Sequence, residues 1–205
     1  MKLADRVSLR SRRRKLALFM ETMRPTPETR VLDAGVDEVG FGDGQTGCGT
    51  LNFFEELYPW PERITGLGVT DGAGFRARYP QSTYVQGDAC ALPFEDDAFD
   101  VYFSNAVIEH VGGLERQRAF ASEAVRVAPR VFVTTPNRWF PLELHTRLPL
   151  VHWLPERHAH RAYELARKPD AKENHLLGPA DLRRLFPSGA RIVNLGMTLV
   201  AIVER

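Results

Sequence analysis

The chain has 205 residues, 43% of them apolar and 26% charged, with a formal net charge of +1. That length and composition suit one globular domain with a substantial core, and the near-neutral balance argues against nucleic acid or any partner recognised by bulk charge. Two cysteines, Cys48 and Cys90, supply neither a disulfide framework nor a paired ligand spacing, which with no apolar run of about 18 residues and no secretory signal points to a cytoplasmic setting.

An N-terminal helix is expected within residues 1–27, because Leu16, Phe19, Met20 and Met23 fall on one stripe and Pro25 and Pro27 end it. The basic block "RSRRRK" (Arg10 to Lys15) lies on this helix, read either as a solvated face or as a contact for an anionic lipid surface or substrate. "TRVLDAG" is a short buried strand stopping at Gly35, followed by a glycine-rich segment from Gly40 to Gly49 that is too flexible for regular structure. "LNFFEELYP" is a short helix, and "RITGLGV" is the second strand. "FRARYP" is a weak helical stretch, and "STYVQGDA" is the third strand. "FDVYFSNAVIEHV" carries the fourth strand into a loop, "LERQRAFASEAVRV" keeps helical spacing, and "RVFVTTPN" is the fifth strand. Residues 138–187 read as an insertion or lid, and "ARIVNLGM" with "TLVAIVER" as an antiparallel edge pair. Strands alternating with helical stretches indicate a doubly wound α/β domain, its seven-stranded sheet parallel except at the C-terminal edge.

In such sheets the ligand sits beyond the carboxyl ends of the strands, where the strand order reverses. Asp33, Gly35, Asp88, Asn105, Glu109 and His110 all stand just after strands. "VLDAG", "GDACALPFEDDAFDVYFSNAVIEHV" and "RVFVTTPN", in this order and spacing, resemble the class I S-adenosylmethionine-dependent methyltransferases, close to the small-molecule enzymes of quinone biosynthesis. The resemblance spans about residues 16–205. It implies a Rossmann-like methyltransferase fold and S-adenosyl-L-methionine as cofactor. It also implies that Gly35 stands beside the cofactor's methionine part, that Asp33 has a cofactor-side role (a strand-end cap being the alternative), that Asp88 and the Ala89 amide receive the adenine, that Leu92 and Phe94 wall it, and that Asn105 lies near the sulfonium.

Two features depart from that pattern. Asp37 and Val39 occupy positions where the family has glycines, and Gly68 replaces the acid that ends strand two and grips the ribose. Asp71, three residues on, is the remaining candidate for the ribose, while Asp37 or Asp43 within the longer glycine segment are candidates for the cofactor's ammonium. The alternative is a catalytically degraded relative serving as a ligand-binding or assembly module.

Methyl transfer needs a positioned nucleophile and removal of its proton. His110 is the candidate base, and a loop-ordering role is its alternative; Glu109 is the second candidate, weighted toward a structural or cofactor-side role. Trp139, His145 and His152 follow strand five with several arginines. Aromatics beside basic groups suit a small or lipid-linked acceptor with an anionic part, and peripheral membrane contact is compatible with this. No metal site is expected, because His145, His152, His158 and His160 lack a carboxylate or cysteine at a convincing spacing.

Overall fold

The computed structural model describes residues 3–36, 52–143, 145–186 and 190–205. Seven strands form one sheet: β1 (Val31–Ala34), β2 (Ile64–Gly68), β3 (Thr83–Gln86), β4 (Val101–Asn105), β5 (Arg130–Pro136), β6 (Arg191–Asn194) and β7 (Thr198–Glu204). Their order is β3-β2-β1-β4-β5-β7-β6. The first five pair in parallel, and β7 runs antiparallel between β5 and β6. This is the doubly wound arrangement expected from the alternation of elements, with its reversal between β1 and β4.

Period-two side-chain alternation gives the sheet two buried faces. Leu32, Tyr102, Val131, Val133 and Ala201 face one core layer, which α4 (Leu114–Val127) covers through Phe120, Ala121 and Ala124. Val31, Phe103, Phe132, Val200 and Ile202 face the other layer, covered by α1 (Leu3–Met23) and α2 (Phe53–Leu57). Phe19 of α1 is fully buried and meets Phe54, Phe103 and Phe132 edge-on at centroid distances of 5.0, 5.5 and 5.4 Å. Arg130 donates to the carbonyl of Met23, tying the end of α1 to β5.

The segment between β5 and β6 is made of short helices and turns. It carries α5 (Glu156–Leu165) over a small core of Val151, Ala159 and Tyr163, then α6 (Pro179–Leu185). Leu182 and Phe186 join the main core beside α4, which anchors the C-terminal end of the insertion to the sheet domain. Among the described residues no helix is long and apolar enough to cross a membrane.

Candidate active-site cleft

A cleft of about 660 Å³ opens at the carboxyl ends of β1, β2 and β4, lined by Gly35, Gly68, Asp88, Ala89, Asn105 and His110 among others. It lies at the reversal of strand order, where the fold leaves its backbone ends apart. Gly35 turns the chain there with φ of 101°, and a Cβ would stand 2.1 Å from Val107 Cγ2. The N–H groups of Gly35 and Val36 both donate to the Leu67 carbonyl, at 2.8 and 3.0 Å, clamping the end of β1 to β2. Glycine is required at this point by conformation and by space.

Asp33 is buried beneath this turn, facing a small cavity shared with Asn52, Phe53 and Asn105. Burial, with the nearby Glu55, pushes the Asp33 carboxyl well above the usual carboxylate range. Burial also raises Glu55, to about 7. Asp33 is therefore biased toward its protonated form. Asp37, Val39 and Asp43 lie outside the described residues.

At the end of β2 a Cβ on Gly68 would sit 2.7 Å from Tyr84 Oη and 2.9 Å from the Val36 carbonyl. Tyr84, whose hydroxyl donates to the Thr70 carbonyl at 2.8 Å, fills the space a side chain would need. That accounts physically for glycine at the position of the family's acid. Asp71 does not line the cleft. It stands before α3 (Ala73–Arg78), where its Oδ1 accepts the N–H of Ala73 at 3.1 Å as a turn cap.

Asp88 lines the cleft beside Ala89. Its Oδ1 accepts the Cys90 N–H at 2.8 Å and its Oδ2 pairs with Arg116 at 2.7 Å. The Cys90 amide, then Arg116, overcome partial burial and hold this carboxyl below its ordinary value. Each oxygen keeps a second lone pair for another donor. Leu92 and Phe94 turn instead toward the main core, and Leu67, Val69, Val107 and Val111 provide the cleft's apolar wall.

The other end of the cleft holds a polar cluster. Asn105 Oδ1 accepts from Thr134 Oγ1 at 2.9 Å and from the Nζ of Lys15. Lys15 belongs to the basic block, yet it is only 8% exposed and lies 4.9 Å over the Phe53 ring. Its burial lowers the ammonium pKa to about 8. Glu109 is fully buried, and burial raises its carboxyl to about 7. His110 is half-exposed at the cleft, with its pKa lowered by burial and by His145, which favours the neutral ring.

His145 reaches this cluster from the insertion, its ring 5.0 Å from that of His110. Its Nδ1 lies 2.7 Å from Glu143 Oε1. Burial opposes the protonated ring, but the Glu143 contact prevails and raises its pKa. Glu143 is itself buried, which alone would raise it, but hydrogen bonds from His145 and Thr146 lower it to about 2. His152 lies apart, in a second cavity of about 530 Å³ lined also by Arg138, Tyr163 and Lys172. Trp139 lines neither cavity. It is 59% exposed, with the Arg138 guanidinium 5.8 Å over its ring.

Glu109, His110, Asn105 and His145 thus come together, while Asp71, His152 and Trp139 stand outside the cleft. Lys15 and Glu143 escaped sequence reasoning. Lys15 lies four and eight residues before Phe19 and Met23, so helical spacing marked it as inward-facing. Glu143 stands two residues from His145, a separation that joins side chains only in a turn.

A family profile described as methyltransferase domain matches residues 44–130. No curated protein matches the chain. Solved structures share the fold. One is an S-adenosylmethionine-dependent methyltransferase from Mesorhizobium loti, with 16% identity, 86% of this chain and 91% of that chain covered, and a TM-score of 0.55. Another is 1,6-didemethyltoxoflavin-N1-methyltransferase from Burkholderia thailandensis with 1,6-didemethyltoxoflavin and S-adenosylhomocysteine bound, with 12% identity, 95% of this chain and 77% of that chain covered, and a TM-score of 0.58. A Rhodobacter sphaeroides protein named for zinc-dependent alcohol dehydrogenases also matches, with 12% identity, 94% and 89% coverage, and a TM-score of 0.63. At such identities the likeness establishes architecture, and chemistry has to be argued from the site. The chain has the Rossmann-like fold of these methyltransferases, and the methyltransferase-domain profile matches part of it.

Proposed function

We propose that this chain is an S-adenosylmethionine-dependent methyltransferase acting on a small or lipid-linked acceptor. One observation carries the reading. A single cleft at the sheet's reversal point is lined by Gly35, Asp88, Asn105 and a half-exposed His110 whose neutral form is favoured. Its volume of about 660 Å³ suits a nucleoside-sized ligand. The residues fit the cofactor best at the adenine end, where Asp88 retains acceptor capacity toward an amino group and the Ala89 amide lies beside it. Expected cofactor contacts from Asp33 and Asp71 receive no support, since the first is buried beneath the turn and the second caps its own turn.

When bound, the cofactor supplies a methyl group already activated by a positive sulfur. The remaining work falls to the chain's own side chains. Asn105, fixed by Lys15 and Thr134, borders the reacting end. His110 accepts the proton of the acceptor's hydroxyl or amine, a role its neutral form permits. The insertion (138–187) covers the acceptor. Leu150, Trp153 and Leu154 are exposed on it, which supports the lipid-linked half of the reading.

The rival reading, a non-catalytic binding module, draws on Gly68, which Tyr84 closes against any longer side chain. Calorimetric titration with S-adenosylhomocysteine separates the two. Micromolar binding that Asp88→Ala weakens supports the enzyme; no heat at millimolar ligand leaves the rival.

A further inference from the structure

Glu109, His110 and His145 each offer a ligand atom, and these atoms lie within 4.8 Å of one another. Two observations show that the three are not simply satisfying each other. Glu109 is fully buried, and its Oε2 accepts from Thr135 Oγ1 at 3.0 Å, but its Oε1 meets no donor among the described residues. The nearest cationic candidate, His110 Nε2, stays 3.9 Å away, beyond hydrogen-bond reach. A buried carboxylate oxygen is costly to leave unpartnered, so such an atom calls for an explanation.

The second observation concerns the tautomer of His145. Glu143 Oε1 accepts the backbone N–H of His145, and Oε2 accepts the backbone N–H and hydroxyl of Thr146. Both Glu143 oxygens already act as acceptors here, a geometry that favours the His145 tautomer with its proton on Nδ1. When the ring is neutral, Nε2 keeps its lone pair. A carboxylate backing one imidazole nitrogen is the arrangement that orients a metal-ligating histidine through its other nitrogen.

We propose that Glu109, His110 and His145 bind one divalent first-row transition cation of the zinc type. Two imidazoles and one carboxylate suit such an ion, whereas calcium and magnesium favour all-oxygen sets. Three protein ligands leave a position open for an exogenous oxygen or nitrogen. The role of the ion rests on the reading of the cleft as a methyltransferase site and deepens it, because the open position is where the acceptor binds. A coordinated acceptor hydroxyl loses its proton to water more readily, and the oxygen keeps the electron pair. That pair forms the new C–O bond to the methyl carbon as the C–S bond breaks with its electrons passing to sulfur. In this state His110 ligates the ion, and the ion takes over the activation of the acceptor. The ion also ties the insertion, through His145, to the loop after β4.

The full chain, stripped with a chelator, is titrated with Zn²⁺ by calorimetry and with Co²⁺ by visible absorption. One ion per chain is expected, with His145→Ala and Glu109→Gln abolishing stoichiometric uptake. Glu143→Gln weakens it about 10- to 100-fold through loss of orientation, and His158→Ala, outside the cluster, leaves it unchanged. Circular dichroism checks folding; should Glu109→Gln misfold, His145→Ala in its partly exposed loop carries the test. Absence of stoichiometric binding, or binding indifferent to His145→Ala, overturns the site. S-adenosylhomocysteine titrated into the same samples separates the two claims. Nucleoside binding without ion uptake removes the ion and spares the methyltransferase reading, and ion uptake without nucleoside binding does the reverse.

Discussion

On the β2–β3 side of the cleft every carboxylate has a partner within the chain, and on the β4 side one buried carboxylate oxygen has none among the described residues. Asp71 caps Ala73, Asp88 holds Cys90 and Arg116, and Tyr84 occupies the space beside Gly68. Across the cleft, Glu109 Oε1 has no donor among the described residues, and His110 is half-exposed with its neutral form favoured. Folding alone favours the first arrangement, since unpaired buried polar atoms cost stability. The second persists where a ligand completes the pairing. On the function proposed above, one side shapes a recess and the other carries the reactive groups.

The largest expected effect tests the reactive side. His110→Ala should lower kcat by about 10²- to 10⁴-fold while sparing S-adenosylhomocysteine affinity. Equal loss of both would make His110 an ordering residue and erase the contrast. On the recess side, Asp88→Ala should weaken S-adenosylhomocysteine by about 1.5–3 kcal/mol, roughly ten- to a hundredfold in Kd, with kcat at saturation little changed. Gly35→Ala should cost about 1–3 kcal/mol in urea unfolding, because φ is 101° and Val107 stands in the way. A neutral result would show that the turn relaxes.

The smallest effect is a pH dependence beneath the recess. Burial raises Glu55 from 4.5 to about 7, so the folded state retains a proton that the unfolded chain releases. This contribution to stability is present in full below the unfolded value and falls as pH rises toward the folded one. Relative to wild type, Glu55→Gln should gain on the order of 2 kcal/mol between acid and neutral pH. Parallel unfolding curves for the two proteins across that window would contradict the buried proton.

The sheet was legible because its information is local. Alternation in "RVFVTTPN" and "TLVAIVER" sends Phe132 and Ile202 to one face and Val131 and Val203 to the other. The strand-end positions of Asn105 and His110 were equally readable, since strand ends in this topology converge on one cleft. The partnerships were less so. Lys15 meets Asn105 across 90 residues, and no spacing rule links a helix near the N-terminus to the mouth of β4. Glu143 and His145 pair through a turn that the proline-rich insertion does not announce. Leu92 and Phe94 were expected as a cofactor wall, yet their apolar character serves the core equally well, and sequence does not tell which side of a connector faces inward.

The account stands on the cleft at the end of β1 and β4 being the nucleoside site. A crystal soaked with S-adenosylhomocysteine tests this most directly. The predicted result is density with the adenine beside Asp88 and Ala89 and the sulfur toward Asn105. Density confined to the cavity lined by His152 and Tyr163, or an empty cleft at saturating ligand, would contradict it.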